Sequence, residues 1–127
     1  SQIKKLSGGE GVDVVYDAVG GNYAEPAVRA LAWKGRYLVV GFPAGIPKIP
    51  LNLTLLKGCQ IVGVFWGAHT LREPESHAEN MGDLFTMYAN GQIKPRISAS
   101  YPLEQAADAL RLMEDRKVLG KVVVTVA

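Results

Sequence analysis

The 127-residue chain is 48% hydrophobic and 20% charged, which is enough material for one modest core. Its formal net charge is only +2 and its basic residues are scattered, which argues against a nucleic-acid-binding stripe. Its one cysteine, Cys59, can make no disulfide within the chain and no zinc cage alone. No apolar run approaches the roughly 20 residues a spanning helix needs, so a cytoplasmic protein with no membrane partner is expected.

In chain order, "SQIKKLSGGEG" reads as the last turn of a helix running into a glycine-rich turn. Opening on the tail of a helix implies a piece of a longer protein. Val12 to Val19 is apolar except for Asp13 and Asp17, the pattern of a strand covered on both faces. "NYAEPAVRALAWKG" predicts a helix capped by Asn22 and closed by Gly35, with Pro26 in its first turn. "RYLVVGF" is a second buried strand, leading into the loop "PAGIPKIPLN". "LTLLKG" is too short to assign. Gln60 to Trp66 is a third apolar strand.

A helix then runs from about Pro74 to Asn90, with Met81, Leu84, Phe85 and Tyr88 as its apolar stripe. The last third reads as a short strand in "IKPRISASYP", a helix in "LEQAADALRLMEDR" and a terminal strand in "GKVVVTVA". The predicted buried face of that helix is Leu103, Ala106, Ala107, Leu110 and Met113. Met81, Met87 and Met113 are read as core.

Strands separated by crossovers of this length pair in parallel. The fold class is therefore α/β: half of a doubly wound, Rossmann-like parallel sheet with a C-terminal strand–helix–strand return. In such sheets ligands collect outside the carboxyl ends of the strands. Those ends are "AVGG", "VGFPAG" and "VFWG", each released through glycine, which lets a ring or a phosphate approach the backbone.

The ordered set "GGEGVDVVYDAVGG", "ALAWKGRYLVVGFPAG", "LLKGCQIVGVFWG", "YPLEQAADAL" and "GKVVV" resembles the medium-chain dehydrogenase/reductase superfamily. Within it, the chain is most similar to the zinc-free quinone oxidoreductase branch, which includes the zeta-crystallin type. The resemblance covers essentially the whole chain. It implies that residues 1–92 are the second half of a Rossmann nucleotide-binding domain. Residues 93–127 would return to a GroES-like catalytic domain.

The resemblance also implies hydride transfer from the reduced form of NADP or NAD to a small quinone or enone, without a metal. It places Val19 and Gly20 near the cofactor ribose and pyrophosphate, and Gly41, Phe42 and Pro43 toward the nicotinamide. Phe65, Trp66 and Gly67 would flank the nicotinamide and the substrate. Lys121 is a further cofactor candidate, and a homodimer would form through the strand Gln60 to Trp66. No glycine-rich pyrophosphate loop followed by a helix is present, so the isolated chain is expected to be inactive.

No catalytic residue is assigned. Asp17 has no partner carboxylate in view and reads as a structural or capping group. His69 and His77 lack metal-ligand spacing and read as surface residues. Two alternatives stay open. One is a methyltransferase-like domain, whose sheet would close with an antiparallel hairpin; the other is a non-catalytic dimerisation segment.

Overall fold

Successive side chains of a strand point to opposite faces, and in the first half of this chain one face is far better covered than the other. In the computed structural model, which describes residues 2–126, the chain divides into two compact units, Ser1–Pro74 and Glu75–Ala127. Ser1, at the head of the predicted opening turn, and Ala127, at the end of the predicted last strand, lie outside the described residues.

The first unit contains α1 (Gln2–Leu6), β1 (Val12–Asp17), a helical turn at Gly21–Tyr23, α2 (Ala24–Ala30), β2 (Leu31–Val39), α3 (Asn52–Lys57), β3 (Gln60–Gly63) and α4 (Trp66–Arg72). The sheet order is β1-β2-β3 and both pairings are parallel. Val14 to Asp17 lie opposite Arg36 to Val39, and Arg36 to Val39 lie opposite Gln60 to Gly63. The parallel third strand is the arrangement that separates the reductase-like sheet from a methyltransferase ending. The half-sheet expected from sequence is therefore present.

α2 and α3 pack on this sheet. Their apolar residues close a core of Ala24, Val28, Leu31, Tyr37, Leu53 and Cys59, flanked by Val12, Val15, Ala27, Val39 and Ile49. The opposite face of β1 is open: Val14 and Tyr16 are 42% and 69% exposed. The expected coverage on both faces is not met within this chain, because both packed helices bury the Val15 side.

Several boundaries also differ from expectation: β1 ends at Asp17 rather than Val19, and β2 ends at Val39 rather than Phe42. The predicted helix over 22–35 stops at Ala30, capped by no side chain, and Asn22 lies in the preceding turn. Lys34 adopts φ 61°, and the β1–β2 register is broken between Val12 and Val14. Leu31, at φ −60° and ψ 146°, has already left the helical region, so Leu31 to Gly35 joins the strand as an irregular lead-in. Trp33 consequently leaves the helical face and lies over Gly58, where a Cβ would sit 2.9 Å from its ring. Gly58 itself closes α3, the segment too short to assign, at φ 56°.

The third strand ends at Gly63 rather than Trp66. Phe65 turns the chain and Trp66 opens α4, a helix not foreseen.

The second unit contains α5 (Pro74–Ala89), β4 (Ile97–Pro102), a turn at Leu103–Gln105, α6 (Ala106–Glu114) and β5 (Lys121–Thr125). β4 and β5 pair with each other in parallel, from Ile97 opposite Lys121 to Pro102 opposite Thr125. α6 packs on both strands, as the crossover of a right-handed unit does.

Its buried face is Ala106, Ala109 and Leu112. Leu103, Leu110 and Met113 are exposed, so the predicted stripe was displaced around the helix. Met81 is half-buried, but Met87 and Met113 are exposed and do not form core. Among the described residues no helix is long and apolar enough to cross a membrane.

Leu31 is fully buried at the junction of α2 and β2. Leu31→Ala is expected to lower stability by about 2–4 kcal/mol through lost burial and a residual cavity. A shift of the urea midpoint at unchanged m-value checks this. An unshifted midpoint would mean that this cluster is not the core.

Candidate functional site

The site is built where the three parallel strands end together. β1 finishes at Asp17, whose carboxylate organises the turn that follows. Its Oδ1 accepts hydrogen bonds from the backbone N–H groups of Val19 (2.8 Å) and Gly20 (2.9 Å). Its Oδ2 accepts from the hydroxyl of Tyr37, one strand away. An aspartate that bonds backbone amides two and three residues ahead is a turn-forming group. The structural role expected for Asp17 is the one observed.

Burial pushes the Asp17 carboxyl upward, but the bonds from the Tyr37 hydroxyl and the amides of Gly20 and Val19 outweigh it. The group is held below its ordinary value. Burial raises Tyr37, and the hydrogen bond and negative charge of Asp17 raise it further, well above the usual tyrosine range.

The exit loops of β1 and β2 are laced together by backbone bonds. Val40 and Gly41 N–H groups donate to the Asp17 carbonyl at 2.9 and 3.3 Å, Ala44 N–H to Val19 at 2.9 Å, and Gly21 N–H to Gly45 at 2.7 Å. Gly20 sits at φ 72° with almost no free space. A Cβ there would lie 2.8 Å from the Gly45 carbonyl oxygen and 3.2 Å from both Cα and Cδ1 of Phe42. Only glycine combines that dihedral with that approach.

β3 joins the same rim, with Val64 N–H donating to Val39 at 2.8 Å. Between the tips of β2 and β3 lies a cleft of about 350 Å³ lined by Val39, Val40, Gly41, Phe42, Gly63, Val64 and Phe65. The lining side chains are all apolar. A flat ring could lie against such a wall, and Gly41 and Gly63 leave the backbone bare beneath it.

Seven of the nine sequence-derived cofactor residues fall at this end of the sheet. Val19 and Gly20 form the β1 turn, and Gly41, Phe42 and Pro43 follow β2. Gly41, Phe42 and Phe65 line the cleft itself, and Trp66 follows Phe65 at the head of α4. Gly67 lies in the first turn of α4, where its carbonyl accepts from the Thr70 hydroxyl at 2.9 Å. Lys121 opens β5 in the second unit, its side chain exposed and its N–H bonded to the Arg96 carbonyl at 2.8 Å.

His69 and His77 are half-buried rather than surface residues. The His69 ring lies 5.4 Å from that of Trp66, and its Nδ1 lies 3.5 Å from Glu73. Among the described residues no three His, Cys, Asp or Glu groups converge on a point that could hold a metal.

Sequence reasoning passed over Tyr37, Gly63 and Val64. The signal for Tyr37 lies in the alignment of the parallel strands: it is two positions before Val39, the residue opposite Asp17. A second groove, of about 540 Å³, runs between α2 and the loop after β2, lined by Asn22, Glu25, Arg29 and Lys48 among others. Arg29 is already paired with Glu25 at 2.6 Å.

The chain is similar to known proteins along nearly its whole length. Residues 2–124 match a family model described as zinc-binding dehydrogenase. The chain is 38% identical over 125 residues to quinone oxidoreductase-like protein 2 homolog of Nematostella vectensis, covering 97% of this chain and 34% of that protein. It superposes on a probable oxidoreductase from Mycobacterium abscessus with a TM-score of 0.80 and 31% identity, covering 98% of this chain and 36% of the other. The Escherichia coli quinone oxidoreductase, solved in complex with NADPH, gives a TM-score of 0.78 at 26% identity, covering 98% and 39%. The chain spans about a third of the length of the relatives it matches.

The Asp17–Tyr37 pair makes stability depend on pH at both ends. The contribution of Asp17, whose folded value is lowered, is complete above its ordinary value and is lost as pH falls through the lowered one. That of Tyr37, whose folded value is raised, is complete below its ordinary value and is lost as pH rises toward the raised one. Asp17→Asn should be less stable than wild type by about 1–2 kcal/mol above roughly pH 5, with the gap closing in acid. Unfolding measured across pH checks this, and a gap that persists unchanged in acid would remove the carboxylate charge from the account.

Proposed function

The chain belongs to the zinc-binding dehydrogenase family, on the quinone oxidoreductase branch of the medium-chain dehydrogenase/reductase superfamily, and from that premise we propose that it is the nicotinamide-seating part of an NAD(P)H-dependent oxidoreductase. The observation that carries the proposal is the apolar cleft at the shared rim of parallel β2 and β3. In this reading residues 1–92 are the second half of the nucleotide-binding domain. Residues 93–127 return to the catalytic domain.

The bound cofactor, the reduced form of NADP or NAD, would supply a hydride to a small quinone or enone and leave as the oxidised form. The chain's own residues supply position and a water-poor wall. Gly41 and Gly63 let the ring approach the backbone, while Phe42 and Phe65 cover its faces and exclude water. Holding the two reactants in register removes much of the entropic part of the barrier. Val19 and Gly20 border the ribose and pyrophosphate, Pro43 stiffens the loop behind Phe42, and Trp66 and Gly67 bound the substrate side. Lys121 is assigned to the cofactor as an exposed cation. No proton transfer and no metal ligand is assigned to this chain, and the enzyme is placed in the cytoplasm.

The edge strand β3 is proposed to pair with its twin across a two-fold axis. Such an apolar edge, with Ile61 and Val62 about two-fifths exposed, is unfavourable to leave uncovered. The proposed seam is Gln60–Gly63, shorter than the span to Trp66 first expected.

A Cβ at Gly41 would meet only ordinary contacts, the nearest being the Ala18 carbonyl oxygen at 3.6 Å. The fold therefore tolerates a side chain there, while the cleft loses room. In the full-length protein, NADPH should be oxidised by a small quinone, and Gly41→Val should weaken NADPH binding by about tenfold or more. Residues 1–127 alone should bind no NADPH at micromolar concentration, and tight binding by them would relocate the cofactor determinants. Mass in solution should report a dimer for wild type and a monomer for Val62→Lys. Two monomers would end the strand-pairing proposal.

A further inference from the structure

We propose that Tyr37 and Asp17 are positioning residues for the nicotinamide cofactor, setting the wall that Phe42 presents to the cleft through the turn at Gly20. This inference rests on the nicotinamide reading of the cleft. The chain of contact begins in the core. The Tyr37 ring is 1% exposed, packed with Val28, Leu31 and Leu53, so its hydroxyl is delivered to a fixed point. That hydroxyl donates to Asp17 Oδ2, which leaves Oδ1 to hold the amides of Val19 and Gly20. Held so, Gly20 lies close beside Phe42: a Cβ placed on it would come within 3.2 Å of both the Cα and the Cδ1 of Phe42. Phe42 therefore has little room to relax toward the β1 turn, and it also lines the cleft.

The same bonds decide what the turn can offer a ligand. The N–H groups of Val19 and Gly20 are already taken by the carboxylate. The turn therefore contributes the half-exposed Val19 side chain and bare glycine surface, and no hydrogen-bond donors to a phosphate from these two amides. Val19 and Gly20 act by contact and shape, and cofactor phosphates must be gripped by other groups.

The test uses the full-length protein, with Tyr37→Phe to remove the hydroxyl while keeping the ring. Without cofactor, amide hydrogen exchange at Val19 and Gly20 should quicken by about tenfold, while Val40 and Val64, held by backbone carbonyls, stay unchanged. The dissociation constant for NADPH should rise by about tenfold with kcat within about threefold of wild type, the pattern of lost uniform binding. Asp17→Asn keeps an acceptor for the two amides and should bind NADPH more tightly than Asp17→Ala. This second pair carries the test if Tyr37→Phe fails to fold.

Faster exchange with unchanged NADPH affinity would overturn the inference and leave the cofactor reading standing, as would equal affinity for the two Asp17 variants. A wild-type protein that binds no NADPH, with Val19 and Gly20 still protected, would overturn the cofactor reading and this inference with it.

Discussion

Everything at the candidate site depends on three strands running the same way. Parallel pairing brings all the carboxyl ends to one border, and backbone hydrogen bonds continue the pairing past the strands themselves. The Asp17 carbonyl holds the first two residues beyond Val39, and Val39 holds the first beyond Gly63. The loops are thus extensions of the sheet rather than loose connections. An antiparallel third strand would have sent its exit to the opposite border and left the cleft with one wall.

The sequence made much of this legible, for physical reasons that can be named. Continuous apolar runs such as "VVY" and "YLVV" announce strands, and the long spans between them force crossovers and so parallel pairing. α5 was legible over almost its whole length, because Pro74 starts it and Gly91 follows its end. Trp33 was misplaced because "ALAWKG" satisfies helical spacing equally well; the chain leaves the helix at Leu31 and turns left-handed at Lys34, and neither residue type gives warning of it. α3 and α4, of six and seven residues, are shorter than any periodicity can resolve. In α6 the small residues Ala106 and Ala109 face the strands and the larger Leu110 and Met113 do not. Hydrophobicity alone ranks them the other way.

At the site, residue types at strand ends were readable one by one, but their linkage was not. Asp17 followed by glycine three positions later signals a turn built on its own carboxylate. The third donor, Tyr37, becomes visible only when the strands are laid in register. The single carboxylate that might have been taken for a catalytic group is spent on three donors, which leaves the cleft lined by apolar side chains. The division of labour follows: polar chemistry holds the frame behind the rim, and the rim itself offers shape.

One further feature gains meaning beside that cleft. Quinones and enones are soft electrophiles that alkylate accessible thiolates. Cys59, the chain's one sulfhydryl, is 8% exposed and points at the Leu53 carbonyl from 3.9 Å away, sheltered in the apolar cluster. A thiol so enclosed is shielded from electrophiles in solvent. An electrophile that reached the cleft would therefore find this sulfur out of reach behind the packed faces of the core.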